Sequence, residues 1–528
     1  MHRILSSATA WPLYGVERSR ALEQQALARS APHALMRRAA QAVFRLGRAL
    51  YPHARRIWVA CGPGNNGGDG LLAAAAWHAL HASHGIEVTI TWHGNPERLP
   101  ADARFAWETA QAAGVRFADA PPAHFDLAVD ALLGVGSQPR PLSAEHPMGR
   151  WLARLQGTKA PVLCVDLPSG LDADTGHWPH DCPALPQGPR HTLSLLTLKP
   201  GLFSASGRDA AGDIWLDDLG TTPYPGGGLA PDAWLNPPCQ RTAAQRQQQH
   251  SGHKGLHGDV LVLGGQDVAV NGQGMTGAAL LAARASLHSG AGRVYVGLLG
   301  ATAGTSSLTV DVLYPELMLR DATTLAQSEL VQHATTVCGC GGGEAVQHVL
   351  APLLAHSPRL VLDADALNMV ARHGAWQQML QQRRSRHQHT ILTPHPLEAA
   401  RLLDTTSATV QRDRLQAART LAERYQCLVA LKGSGTVLAA PSHTARINPS
   451  GNALLGTAGT GDVLAGMVGA HWSLLHAQDN IPPCAERAEA QAWHALQQAV
   501  YQHGRLADQW PVGQALRAGA LAAAITPP

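Results

Sequence analysis

The chain has 528 residues, of which 45% are hydrophobic and 15% charged, and it carries a net charge of +3 with histidine neutral. The length exceeds one ordinary core and predicts two or more domains, and the composition excludes a disordered chain. So small a net charge leaves no electrostatic footprint for nucleic acid or an acidic membrane surface. Abundant glycine (53) against scarce phenylalanine (5) suits an α/β enzyme whose helices pack closely on a sheet. The eight cysteines form no CxxC pair, as expected in a reducing compartment. The N-terminus has no apolar stretch long enough for a signal peptide, and no apolar run of about 20 residues predicts a membrane span. A cytoplasmic protein with neither a nucleic-acid nor a membrane partner is expected. No HExxH spacing occurs among the 28 histidines, and most are expected at the surface. The basic run at 383–386 is read as a solvated helix end.

Taken in order, apolar spacing predicts a helix over 16–50, broken at Pro32. A short strand over 57–61 then leads into GPGNNGGDG at 62–70, with a helix over 71–81 behind it. Strand, Gly-rich turn and helix in succession form the phosphate site of a doubly wound sheet. The turn has neither GxGxxG spacing nor a Walker lysine, so it is not an ordinary dinucleotide fingerprint or P-loop. Further strands are predicted over 86–92, 127–129, 162–165, 195–198 and 214–216. Three strand ends thereby supply Asn65, Asn66, Asp69, Asp130, Asp166 and Ser169. The carboxyl ends of strands form the ligand crevice of an open parallel sheet, and such oxygen-rich clusters also hold hard cations. One such Asp alone would be a turn or cap residue; three beside Gly or Ser favour a site.

The stretch at 60–71, with DALLGVG at 130–136, VDLPSGLDADTG at 165–176 and LMRRAA at 35–40, resembles the NAD(P)HX epimerases over roughly residues 10–220. The resemblance implies a Rossmann-like three-layer α/β/α domain. It implies substrate contacts from Asn65, Asn66, Gly67, Gly68, Asp69, Gly134, Val135, Gly136, Ser137, Gln138, Pro139, Arg140 and Asp166. It also implies a K⁺ site at Asn66, Asp130 and Ser169, with Asp166 as the acid/base group and free for chemistry.

Residues 220–249 pass from Pro and Gly to a Gln-rich run without apolar period and read as a linker. The boundary is placed near 240, between a domain over 1–240 and another over 246–528. Strands are then predicted over 259–263, 293–297, 335–339, 360–363, 391–393 and 428–431, alternating with helices such as 275–289. That alternation argues an α/β domain around a mostly parallel sheet. KGSGT at 432–436 lets the backbone approach a ligand or makes a tight hairpin turn. At 456–461 a Gly-rich turn runs into a helix predicted from Asp462. Its converging N–H groups and the helix dipole suit phosphate. Asp462 would accept a proton from a hydroxyl facing that phosphate, or merely cap the helix.

The set SGHKGLHG, LVLGG, DADALN, LTPHPLEAARLL, LKGSGT and GTAGTGDVLAG resembles the ADP/ATP-dependent NAD(P)HX dehydratases, which are ribokinase-like, over about 250–510. Both resemblances in this order are those of the bifunctional enzymes. They imply NADHX or NADPHX as substrate, epimerised by the first half and dehydrated by the second with ADP or ATP. Nucleotide contacts fall on Lys432, Gly433, Ser434, Gly435, Thr436 and Gly461. Contacts to the hydrate fall on Ala278, Gly341, His395 and Asp462, with Asp462 as base. Mg²⁺ and a homo-oligomer are also expected. One departure is Gly339–Cys340–Gly341–Gly342–Gly343, where the family has Gly-Pro-Gly-Leu-Gly. The alternative is a ribokinase-fold small-molecule kinase with an accessory nucleotide-binding domain.

Overall fold

The computed structural model describes residues 1–4, 9–136, 142–143, 145–178, 186–221, 228–238, 254–300, 308–477 and 485–527. The chain divides into two compact units, with the division between Trp234 and Leu235. Among the described residues no helix is long and apolar enough to cross a membrane.

In the first unit the strands lie in the order His2–Arg3, Asp213–Asp217, Arg190–Leu195, Val162–Val165, Leu127–Ala131, Arg56–Cys61, Glu87–Trp92, Arg116–Phe117. All neighbours are parallel except the outermost pair, His2–Arg3 with Asp213–Asp217. The chain winds outward from Arg56–Cys61 in one direction and then returns to build the other side from Leu127–Ala131. The switch point between those two strands is where such a sheet opens a crevice. Both faces are covered. Ile57, Val59, Val129 and Val165 pack beneath helices Val16–Ala28, Ala34–Leu50 and Asn65–His78, while Trp58, Ala60 and Ala128 pack on helix Pro147–Gly157. This is a Rossmann-like α/β/α unit.

Three local expectations are corrected. The helix expected from 71 begins at Asn65, so NNGGDG is its opening turns and not a loop. Glycine disfavours helix by about 1 kcal/mol per residue, but here packing overrides propensity. A Cβ on Gly68 would sit 2.6 Å from Met36 Cε, and one on Gly70 2.6 Å from Ala131 Cβ. The strand expected over 195–198 ends at Leu195, because Leu196 turns the chain at φ +64°. The strand at 127–129 continues to Ala131 and takes Asp130 into the sheet.

In the second unit the strands follow the order Met318–Asp321, Arg293–Leu298, Asp259–Gly264, Thr335–Cys338, Arg359–Leu362, His389–Leu392, Leu428–Leu431, Val437–Ala440, His443–Ile447. Pairing is parallel as far as Leu428–Leu431 and antiparallel beyond it. Alternate residues of one strand feed opposite cores. Val260 and Val262 join helices Thr276–His288 and Thr460–Ala477, whereas Leu261 and Leu263 join helices Gln347–His356 and Arg414–Tyr425. Strands buried on both faces read as continuous apolar runs, as here. The unit is ribokinase-like. Arg383 is not a solvated helix end: it is 1% exposed, and its guanidinium donates to Leu354 O and Ser357 O at 2.6 Å and to Thr390 Oγ1 at 2.7 Å. The histidines at 389, 471 and 503 are likewise buried.

Candidate active sites

The first unit holds a cleft of about 520 Å³ at its switch point, lined by Glu23, Asn66, Asp69, Gly134, Asp166 and Lys199 among others. The Asn65–His78 helix presents Asn66 and Asp69 to it, and the strand end at Val165 presents Asp166. Asp166 sits at φ +68°, a left-handed conformation that costs a non-glycine residue free energy. Its Oδ1 accepts from the Lys199 ammonium and from Leu195 N at 3.1 Å. The Asp69 carboxyl has no hydrogen-bond partner among the described residues. Burial, then the Asp166, Glu23 and Asp102 carboxylates, hold it well above the usual carboxylate range. Burial, then Asp166, also raises Glu23.

Asp130 and Ser169 meet as a pair. Ser169 Oγ donates to Asp130 Oδ1 at 2.5 Å and Ser169 N to Oδ2 at 3.0 Å. Ser169 Oγ also accepts from Leu133 N at 2.9 Å. The next residue, Gly134, lies against Asn66, where a Cβ would come within 3.1–3.4 Å of the amide side chain. Both polar atoms of the Asn66 amide are buried without a hydrogen-bond partner. A buried orphan amide is rare, and its oxygen suits a cation ligand. Ser137, Gln138, Pro139 and Arg140 lie outside the described residues. Gly134, Val135 and Gly136 are described, and Arg20 Nη2 donates to Val135 O at 3.2 Å and Gly136 O at 3.1 Å.

In the second unit the helix expected from Asp462 starts at Thr460, directly after Gly459 at φ +89°. Asp462 is therefore inside the first turn. Main-chain N–H groups there lack intrahelical partners, and those of Gly461 and Asp462 find none among the described residues. Lys432 closes the other side, its Nζ 3.4 Å from where a Gly461 Cβ would lie. The Lys432 ammonium is paired with Asp363 Oδ1 at 2.6 Å, which also accepts from Thr393 Oγ1 at 2.7 Å. Burial pulls the Lys432 ammonium down, but Asp363 and Glu398 outweigh it. Burial, then the Asp363 charge, pushes Asp462 up to about 7. The ligand atoms of Cys340, Asp363 and Asp462 lie within 4.8 Å of one another.

Residues 432–436 join antiparallel strands, so the hairpin reading also holds. Gly433 is at φ +140° and Gly435 at φ +67°. A Cβ on Gly433 would sit 2.8 Å from the Arg414 guanidinium, whose Nη2 donates to Leu431 O and Lys432 O at 3.1 Å. Ala278 and Gly341 are brought together, since a Cβ on Gly341 (φ +59°) would meet Ala278 Cβ at 2.7 Å. His395 caps the helix Pro396–Leu403. Its Nδ1 accepts from Leu397 N and Glu398 N, and Glu398 Oε2 returns the bond to His395 N at 2.8 Å. Burial, then Lys432, lowers His395, while burial pushes Glu398 up to about 7.

Four residues of these sites are not singled out by sequence reasoning: Lys199, Asp363, Arg414 and Glu398. The one available signal was Lys199, a lone charge within the apolar run LSLLTLKPGL, since lysine is seldom fully buried unless paired.

An α/β unit with carboxylates at its switch point, followed by a ribokinase-like unit with an acid in the glycine-rich turn that opens a helix, has the architecture of a two-site enzyme. Residues 32–201 match the family model described as the YjeF-related protein N-terminus, and 260–525 that of NAD(P)H-hydrate dehydratase. The chain is 34% identical over 451 residues to a bifunctional NAD(P)H-hydrate repair enzyme of Escherichia coli strain K12, covering 83% of this chain and 80% of that one. It is 39% identical over 277 residues to an ADP-dependent (S)-NAD(P)H-hydrate dehydratase of Neisseria meningitidis serogroup B, covering 52% of this chain and 84% of that one. A solved ADP/ATP-dependent NAD(P)H-hydrate dehydratase from Bacillus subtilis, co-crystallised with ATP/Mg²⁺, matches at 29% identity and a TM-score of 0.41, covering 52% of this chain and 90% of that one. The chain belongs to the bifunctional NAD(P)H-hydrate repair enzyme family.

Proposed function

We propose that the first unit interconverts the C6 epimers of NADHX and NADPHX, and that the second dehydrates the S epimer with ADP or ATP. Hydroxide is a poor leaving group, and phosphorylation makes it a good one. Asp462 takes the C6 hydroxyl proton, the oxygen attacks the terminal phosphoryl group, and AMP or ADP departs. Loss of phosphate and of a C5 proton then restores NAD(P)H. The Gly461 and Asp462 amides and the Lys432 ammonium face the transferring group, where fixed donors stabilise developing charge. The observation that carries this reading is the Asp462 carboxylate in the same helical turn as unpartnered N–H groups, beside Lys432. Ala278, Gly341 and His395 take the hydrate, and 432–436 the nucleotide.

Asn66, Asp130 and Ser169 fit K⁺, on the strength of the orphaned Asn66 amide and an oxygen set of low total charge. K⁺, when bound, supplies positive charge beside the cleft. Mg²⁺ has no comparable cage among the described residues, because the one cluster of ligand spacing contains a thiol and a lysine-paired carboxylate. A cytoplasmic homo-oligomer completes the reading, and light scattering checks the assembly. The decisive experiment adds purified protein and ADP or ATP to NADHX. Recovery of NADH absorbance supports repair; accumulation of a stable phosphorylated product points instead to a small-molecule kinase.

A further inference from the structure

The hydrate's C6 bears a hydroxyl and is bonded to ring nitrogen N1, so it is a hemiaminal. Its epimers interconvert if the C6–N1 bond opens to an aldehyde and closes on the other face. Opening requires a base for the hydroxyl proton and an acid for N1. Resting on the epimerase reading above, we propose that Lys199 is a positioning residue that divides these roles, holding Asp166 as the base and leaving Asp69 as the acid.

Lys199 is 1% exposed, in the wall of the cleft. Its ammonium bonds Asp166 Oδ1, donates to Leu195 O and Thr197 O at 2.9 Å, and reaches Ser194 Oγ at 3.3 Å. An ammonium has three donors, so the protein consumes them all. Both side-chain bonds of Asp166 go to Oδ1, which leaves Oδ2 for the cleft. The strained backbone at Asp166 is held by Asp166 N to Leu193 O at 2.8 Å and Leu167 N to Val165 O at 2.9 Å.

The other charges around the cleft do not neutralise Asp69. Arg20 is committed to the carbonyls of Val135 and Gly136, and His33 to Asp102 at 2.5 Å. Glu23, Asp102 and Asp166 all add negative charge near Asp69 and favour its protonated form. One ammonium thus serves one of several carboxyl groups, and it is Asp166 that it touches.

The step balances. Asp166 takes the hydroxyl proton, the O–H electron pair becomes the second C6–O bond, the C6–N1 pair goes to N1, and Asp69 gives N1 a proton. Rotation about C5–C6 turns the other carbonyl face toward N1. Closure then returns each proton to its donor.

The test follows R-to-S conversion of pure R epimer by the full-length protein, without nucleotide so that the second unit is silent. If wild type does not exceed the spontaneous rate, the epimerase reading falls, and this proposal with it. With wild type active, Lys199→Met should cut kcat by about 10²–10⁴ while KM changes little. Lys199→Arg should recover part of kcat. Asp69→Asn should lose a comparable factor and the alkaline limb. The proposal is overturned if Lys199→Met, folded by thermal unfolding, converts the epimer within about threefold of wild type, or loses only KM. Should Lys199→Met not fold, wild-type rates in both Lys199→Arg and Asp69→Asn overturn it.

Discussion

In the proposed dehydration Asp462 serves as base only when ionised, and burial, then Asp363, pushes it up to about 7. Dehydration should therefore rise with pH through about 7. Asp462→Asn should lose that limb and about 10²–10⁴ in kcat, with the fold intact by circular dichroism; turnover within a few-fold of wild type would exclude Asp462 as base. The shift also has a stability sign. A raised folded-state value favours the protonated native form, so its contribution is full below the ordinary carboxylate range and is lost as pH rises through about 7. His395 separates two roles. As a cap its loss to Ala costs about 0.5–2 kcal/mol, which Asn recovers. If it also contacts the hydrate, His395→Asn keeps the melting temperature but raises KM. An unchanged KM in both variants would leave it a cap alone.

The hairpin between Leu428–Leu431 and Val437–Ala440 shows how an element is shaped from behind. Arg414, 2% exposed, ties down the carbonyls of Leu431 and Lys432, and only glycine at 433 clears its guanidinium. Gly433→Ala combines a disfavoured φ of +140° with that clash. It should cost about 1–3 kcal/mol and raise the KM for nucleotide more than that for the hydrate, by steady-state kinetics with each substrate varied. An equal rise in both would show that the loop does not serve the nucleotide.

For the molecule as a whole, the two units should separate. The position of the cut matters, because Asn236 N donates to Ile447 O at 2.9 Å and its Nδ2 to Asn448 Oδ1 at 3.0 Å and Gln497 O at 2.9 Å. A fragment over 235–528 should dehydrate the S epimer at the rate of the full chain. One over 246–528 lacks three buried hydrogen bonds, each worth about 0.5–1.5 kcal/mol, and should melt lower by differential scanning calorimetry. Equal melting temperatures would show those bonds to be immaterial, and aggregation of both fragments would count against separable units.

The strand–glycine–helix alternation, the aspartates at strand ends and the Gly-rich turn before Asp462 were all legible from residue order, since periodicity and glycine act on neighbours along the chain. Charge pairing was not. Lys199 meets Asp166 across 33 positions, and Lys432 meets Asp363 across 69. Nothing local says which carboxylate such a lysine will meet, because the strand ends that bear them come together only when the sheet assembles. The start of the Asn65–His78 helix escaped for the same reason. Local propensity opposes a helix through NNGGDG, and the contacts that reverse it come from Met36 and Ala131. The chain alone therefore determined the two α/β units and their glycine-rich turns. Which carboxyl group is paired and which glycine has no room for a side chain were settled by packing between distant segments.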